Sequence, residues 1–147
     1  MANYNAVVRT NYFEVTDEER YQKLYARLTS EDNICDFTEQ TKDGRTVHGF
    51  GAYATIQFTP SDVNEDDEDY DLCGIYDFAK ELQEILPDGE AFVCMEAGYE
   101  NLRYVTGFGT VATNKAMYFA DMHDILSKCV KEMTNDTAKP HTLKFVY

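Results

Sequence analysis

Seven carboxylates fall within the ten residues Asp62-Val63-Asn64-Glu65-Asp66-Asp67-Glu68-Asp69-Tyr70-Asp71. No hydrophobic core can hold such a run. Like charges at neighbouring positions repel, and an unpaired carboxylate is too costly to take out of water. Residues 61–71 are therefore expected to be an extended, wet loop, and the rest of the chain has to fold on either side of it. The excess charge of the whole protein gathers here. The formal net charge is −14; residues 62–102 hold 14 acids and one base, Lys80, while residues 1–61 carry −3 and residues 103–147 carry +2. A helix dipole favours acids just before a helix N-terminus, which accounts for Asp69 and Asp71. The effect fades within a turn and leaves the rest of the run unexplained.

Outside the run the pattern is that of a folded domain. Tyr4 to Val15 is rich in Val, Tyr, Phe and Thr and reads as a strand. Thr16 and Glu19 have capping-box spacing, and Tyr21, Leu24, Tyr25 and Leu28 follow at helical intervals, so a helix is expected from Asp17 to Thr29. Asn33–Gln40 and Thr46–Phe58 read as strands joined by a turn at Lys42-Asp43-Gly44. After the acidic loop, Ile75, Phe78, Ala79, Leu82, Ile85 and Leu86 make a helical stripe that Pro87-Asp88-Gly89 stops. Strands are expected at Glu90–Ala97 and Leu102–Ala112, around a turn at Gly98-Tyr99-Glu100. Thr113-Asn114-Lys115 reads as a turn and Met117–Ala120 as a short strand. Asp121 is placed to cap a third helix, with Met122, Ile125, Leu126, Cys129, Val130 and Met133 facing inward. Thr142–Tyr147 reads as a final, docked strand.

The chain also matches itself at an offset of 58 residues. Arg45–Thr55 and Arg103–Thr113 agree at seven of eleven positions, including Gly-Phe-Gly in both, and Leu24 and Leu28 fall over Leu82 and Leu86. The expected fold is a single α+β domain over residues 1–147. It is an antiparallel sheet with helices packed on one face, built from two duplicated αββ units (roughly 17–58 and 75–116) plus a C-terminal helix and strand.

Several chemistries are excluded by spacing. The Gly-Phe-Gly pairs sit in strand pattern with no following helix N-terminus, so neither is a phosphate loop. On the acidic run an EF-hand register would put Asp67 where glycine is required and Cys73 where the bidentate glutamate belongs. Cys35, Cys73, Cys94 and Cys129 form no C-x-x-C pair and read as buried thiols, and His48, His123 and His141 have no ligand spacing. No hydrolase or metalloprotease signature is present, and no metal or cofactor is expected. There is no apolar run of membrane-spanning length and no secretory leader pattern at the first residues, which makes the cytoplasm the expected location.

The functional expectation rests on the acids. The plainest account is a solvated surface that aids solubility. A sharper one is a surface that copies nucleic acid: Asp77, Glu81 and Glu84 share one helical face, and Asp62, Glu65, Asp66, Asp67, Glu68, Asp69 and Asp71 precede it. A dense row of carboxylates fits a groove evolved for phosphates, and steering makes such association fast and salt-sensitive. A third is an immunity-type or regulatory module that grips a basic partner without copying nucleic-acid geometry. An enzyme of unrecognised type comes last.

Arg9-Thr10-Asn11-Tyr12-Phe13-Glu14-Val15, the acidic run, Leu86-Pro87-Asp88-Gly89 and Leu102-Arg103-Tyr104-Val105 together resemble the short acidic proteins carried on bacterial mobile genetic elements. Those proteins lend no functional residues. The resemblance implies a role against host defence, of anti-restriction or anti-CRISPR type. The expectation is thus a non-enzymatic inhibitor that binds the basic site of a nucleic-acid-handling enzyme, with no direct nucleic-acid or membrane binding, and with homodimerisation allowed.

Overall fold

In the computed structural model, residues 4–63, 73–100 and 104–143 are described. Their β-branched and aromatic segments form strands β1 (Tyr4–Thr10), β2 (Leu28–Ser30), β3 (Cys35–Asp36), β4 (Glu39–Gln40), β5 (Thr46–Val47), β6 (Phe50–Ala52), β7 (Ile56–Phe58), β8 (Phe92–Glu100), β9 (Tyr104–Ala112) and β10 (Met117–Asp121). The helices are α1 (Glu18–Tyr25), α2 (Ile75–Leu82) and α3 (Met122–Met133). Six strands make one antiparallel sheet in the order β10-β9-β8-β1-β6-β3, while β2 with β7 and β4 with β5 form two-stranded ribbons. The α+β class, the antiparallel sheet and helices packed against it are as the sequence implies. None of the described helices is long and apolar enough to cross a membrane.

The core lies between one sheet face and α1 with α2. Alternation along the strands sends Val8, Phe50, Ala52, Phe92, Cys94 and Ala112 to that face. There they meet Tyr21 and Leu24 of α1 and Phe78, Ala79 and Leu82 of α2. Phe78 is the hub: its ring makes edge contacts at 5.6 Å with Phe50 and Phe58 and 5.7 Å with Phe92. Each such pair adds roughly 0.5–1.5 kcal/mol beyond the burial of its area. The stop after this helix works as expected, because Gly89 takes φ 81°, a conformation that a side chain would strain.

Several elements differ from the sequence expectation. The first strand ends at Thr10, and Phe13 continues only as a single bridge to His48. The cap of α1 is Asp17, whose carboxylate accepts from the Arg20 N–H at 3.0 Å; Thr16 instead donates to the Ile85 carbonyl. The helix ends at Tyr25, because Leu28–Ser30 is drawn off to pair with β7. The expected strand over 33–40 is two short, exposed pieces, β3 and β4. Gly98–Glu100 is no turn: it continues β8 against β1, with the small Gly98 leaving room for the Tyr4 ring.

The two repeat segments fold differently. Residues 104–112 are one unbroken strand, whereas residues 46–58 are split into β5, β6 and β7. In the first segment Gly51 pairs with both β1 and β3, and a Cβ there would lie 2.6 Å from the Val8 carbonyl oxygen and the Arg9 guanidinium. Since β6 and β8 are both antiparallel to β1, and β9 is antiparallel to β8, the two Gly-Phe-Gly segments run in opposite directions in the sheet.

The third helix departs furthest. Asp121 caps it as expected, accepting from His123 and Asp124 N–H groups at 2.8 and 3.3 Å. Yet none of its residues is buried, and Met122, Ile125, Leu126 and Met133 are exposed. The expected final strand is also absent at its start, where Pro140–Leu143 is a 3-10 turn; residues 144–147 lie outside the described residues.

Candidate partner-binding surface

Four of the ten acids singled out in the sequence line one open groove. Asp62, Asp77, Glu81 and Glu84 surround a space of about 730 Å³ together with Pro60, Ser61, Lys80, Gln83 and Asn114. Helical spacing carries Asp77, Glu81 and Glu84 to the same side of α2 and the 3-10 turn that extends it over Gln83–Ile85. Axial steps along that side are roughly 4.5–6 Å. Asp62 arrives from a turn closed by the Val63 N–H on the Pro60 carbonyl at 3.2 Å. The other six, Glu65, Asp66, Asp67, Glu68, Asp69 and Asp71, lie outside the described residues. Past that stretch, Cys73 is bridged to Phe58, exchanging backbone hydrogen bonds of 2.6 and 3.1 Å, so the chain rejoins the fold beside the strand it left and turns directly into α2.

These carboxylates also serve the fold. Asp77 accepts from the Gly74 N–H at 3.3 Å, holding the first turn of α2. Glu81 accepts from the Ser61 N–H at 3.3 Å and ties the helix to the start of the acidic stretch. Glu84 is ion-paired with Arg20 of α1. Gln83 donates to the Thr113 carbonyl at 2.8 Å, fixing the same helix end to the turn after β9. The groove is therefore negative and firmly built, but it is not uniformly negative. Arg20 lies 64 residues from Glu84 in the chain, and no local pattern joins the two.

The groups that would serve an enzyme are placed less favourably. His48 is 1% exposed, with Nε2 2.8 Å from Glu18 Oε2, Nδ1 3.2 Å from Thr38 Oγ1, and its ring 4.0 Å from that of Tyr21. It is a core histidine with both ring nitrogens engaged. Burial pushes the Cys94 thiol up to about 12, so it keeps its proton at neutral pH. Cys35 and Cys129 are exposed rather than buried, and Cys73 is half-buried; all four are free thiols. Glu96, half-buried on the core side of β8, has its carboxyl raised by desolvation, partly offset by the Tyr4 hydroxyl that donates to it at 3.1 Å. Among the described residues Asp121, His123 and Asp124 bring ligand-type atoms within 4.8 Å of one another, but the Asp121 carboxylate is already engaged in capping α3.

Comparison with protein-family models, with curated proteins and with solved structures finds no match to this chain.

Proposed function

We propose that this chain is a non-enzymatic inhibitor, acting in the cytoplasm, whose acidic surface occupies the basic nucleic-acid site of a partner enzyme such as a host-defence nuclease. One observation carries the reading: carboxylates separated in sequence, Asp62 and the α2 set Asp77, Glu81 and Glu84, face one groove on a rigid helix. The densest acidic stretch leaves and re-enters the fold beside that groove. An array of this kind satisfies the electrostatic half of a phosphate-binding channel, and a fixed helix presents it with little ordering cost on binding.

A second reading is supported by the ion pair between Glu84 and Arg20 and by Lys80 in the groove. Cations within the row interrupt any phosphate-like spacing, which suits an immunity-type or regulatory module that grips a basic partner by charge alone. One experiment separates the two. Candidate nucleases are titrated with the protein at low and high salt, with and without competing DNA, using the full chain and a variant carrying Asp62→Asn, Glu81→Gln and the 65–71 acids neutralised. The inhibitor reading expects salt-sensitive binding that DNA displaces and neutralisation abolishes. Salt-sensitive binding that DNA leaves untouched supports the second reading. Binding unaffected by neutralisation overturns both.

A further inference from the structure

Glu96 breaks the pattern of the core face. Alternation along β8 puts Phe92, Cys94 and Glu96 on that face, and the first two are buried in the core. A carboxylate at such a position is costly unless a cation or several donors meet it. Tyr4 donates to Glu96 Oε2 at 3.1 Å, and Thr55 also favours the charged form. Among the described residues no lysine, arginine or histidine is ion-paired with Glu96.

Glu96 lines a cavity of about 140 Å³. Part of its wall is the sheet. Val8 of β1, Glu96 of β8 and Phe108 of β9 are cross-strand partners in one row, and Thr110 stands diagonal to Glu96 on the same face, opposite Cys94. Ile56, the first residue of β7, and Ile75, the first residue of α2, add two more apolar walls. Thr110 is only 4% exposed, yet its hydroxyl has no hydrogen-bond partner among the described residues. A hydroxyl so placed costs stability unless something completes its hydrogen bonds. A carboxylate without a cation and a hydroxyl without a partner thus share one small apolar space. Few polar groups among apolar walls are what fix a ligand's orientation in a binding site.

The chemistry of the pair says what fits. A carboxylate calls for a cation, and an ammonium has three N–H donors, enough to reach Glu96 and Thr110 together. The walls call for hydrocarbon, and a short one, because a cavity of about 150 Å³ holds a molecule of benzene's size. We infer that this cavity binds a small primary alkylammonium, its nitrogen held between the Glu96 carboxylate and the Thr110 hydroxyl and its hydrocarbon packed against Val8, Ile56, Ile75 and Phe108. The cavity shares no residue with the acidic groove, so binding here is independent of any basic partner there.

The probe is butylammonium chloride, titrated into the full chain at a pH of about 8, where an alkylammonium keeps its proton. Methyl NMR reads the cavity through Val8, Ile56 and Ile75. The expected result is a saturable shift of these methyl signals, with a Kd in the millimolar range for so small a ligand. 1-Butanol and butyrate keep the hydrocarbon but lose the cation, and should bind at least about tenfold more weakly. Glu96→Gln preserves the shape of the side chain and should weaken butylammonium at least about tenfold; Thr110→Val should weaken it less. The methyl spectrum of each variant without probe confirms its fold. Methyl signals that butylammonium leaves unmoved overturn the inference. So does binding that Glu96→Gln leaves intact, which would mark a cation drawn only to the net charge of −14. Butanol binding as tightly as the amine also overturns it, and that comparison uses the wild type alone, so it holds even where a variant fails to fold.

Discussion

The second and third helices are written in the same code and meet different fates. Each places apolar residues at helical spacing and opens beside an acidic capping group, Asp77 on the backbone of Gly74 and Asp121 on His123 and Asp124. Helix α2 buries Phe78, Ala79 and Leu82, yet α3 buries nothing. An apolar stripe states only that a helix needs cover; what covers it depends on where the chain delivers the helix. The half-turn of chain after Cys73 lays α2 across β7 and β9 on the core face. Helix α3 begins on the last residue of β10, the edge strand, with no linker to carry it back over the sheet. The contrast is between a stripe that the core covers and a stripe that stays exposed among the described residues.

Core truncation gives the sharpest way to break that contrast. Phe78→Ala should cost about 3–5 kcal/mol in urea unfolding, since it removes a ring touching three others. Leu126→Ala, at an exposed position, should stay within about 0.5 kcal/mol. Equal losses would mean that α3 is packed after all.

The caps allow a finer comparison. Asp17→Ala and Asp121→Ala each remove a cap worth about 1 kcal/mol to its own helix. Because α1 is part of the core, loss of Asp17 should lower the unfolding midpoint of the whole domain. Loss of Asp121 should instead accelerate amide exchange within 122–133 and leave the midpoint of the protein nearly unchanged.

The smallest effect concerns the core side of the sheet. Burial raises the Glu96 carboxyl above its ordinary value of 4.5, so the folded state holds this proton more tightly than the unfolded chain does. That contribution to stability is complete below the ordinary value and is lost as pH rises through the folded one. Glu96→Gln should therefore gain on the wild type as pH climbs from 4.5 toward neutrality, in unfolding titrations run across that window. The gain should be smaller than a cap effect, because the group is half exposed and water screens it. A gap between the two proteins that is constant with pH would show that the carboxyl is not strained.

Much of the local structure was legible. The turn at Lys42–Gly44, the stripe and stop of α2, the β8–β9 pair and the Asp121 cap each rest on neighbours within a few residues, and local chemistry decides them. The groove was partly legible for the same reason, since Asp77, Glu81 and Glu84 share a helix side by spacing alone. Its partners Arg20 and Ser61 were not, being 64 and 20 residues away from the groups they meet. The Gly-Phe-Gly match marked two stretches of similar composition. It carried no sign that Gly51 would sit between two strands beneath Arg9 while Gly107 would sit in an unbroken strand beneath Met122.

By itself the sequence determined the α+β class, the stop of α2, the cap of α3 and the segregation of charge into the middle of the chain, because propensity, capping and repulsion act between near neighbours. Only the tertiary structure decided which stripes are covered, which face of the sheet takes the core and which carboxylates share a groove. Those outcomes depend on strand order and on contacts between distant residues, where closing the chain costs entropy that only the assembled core offsets.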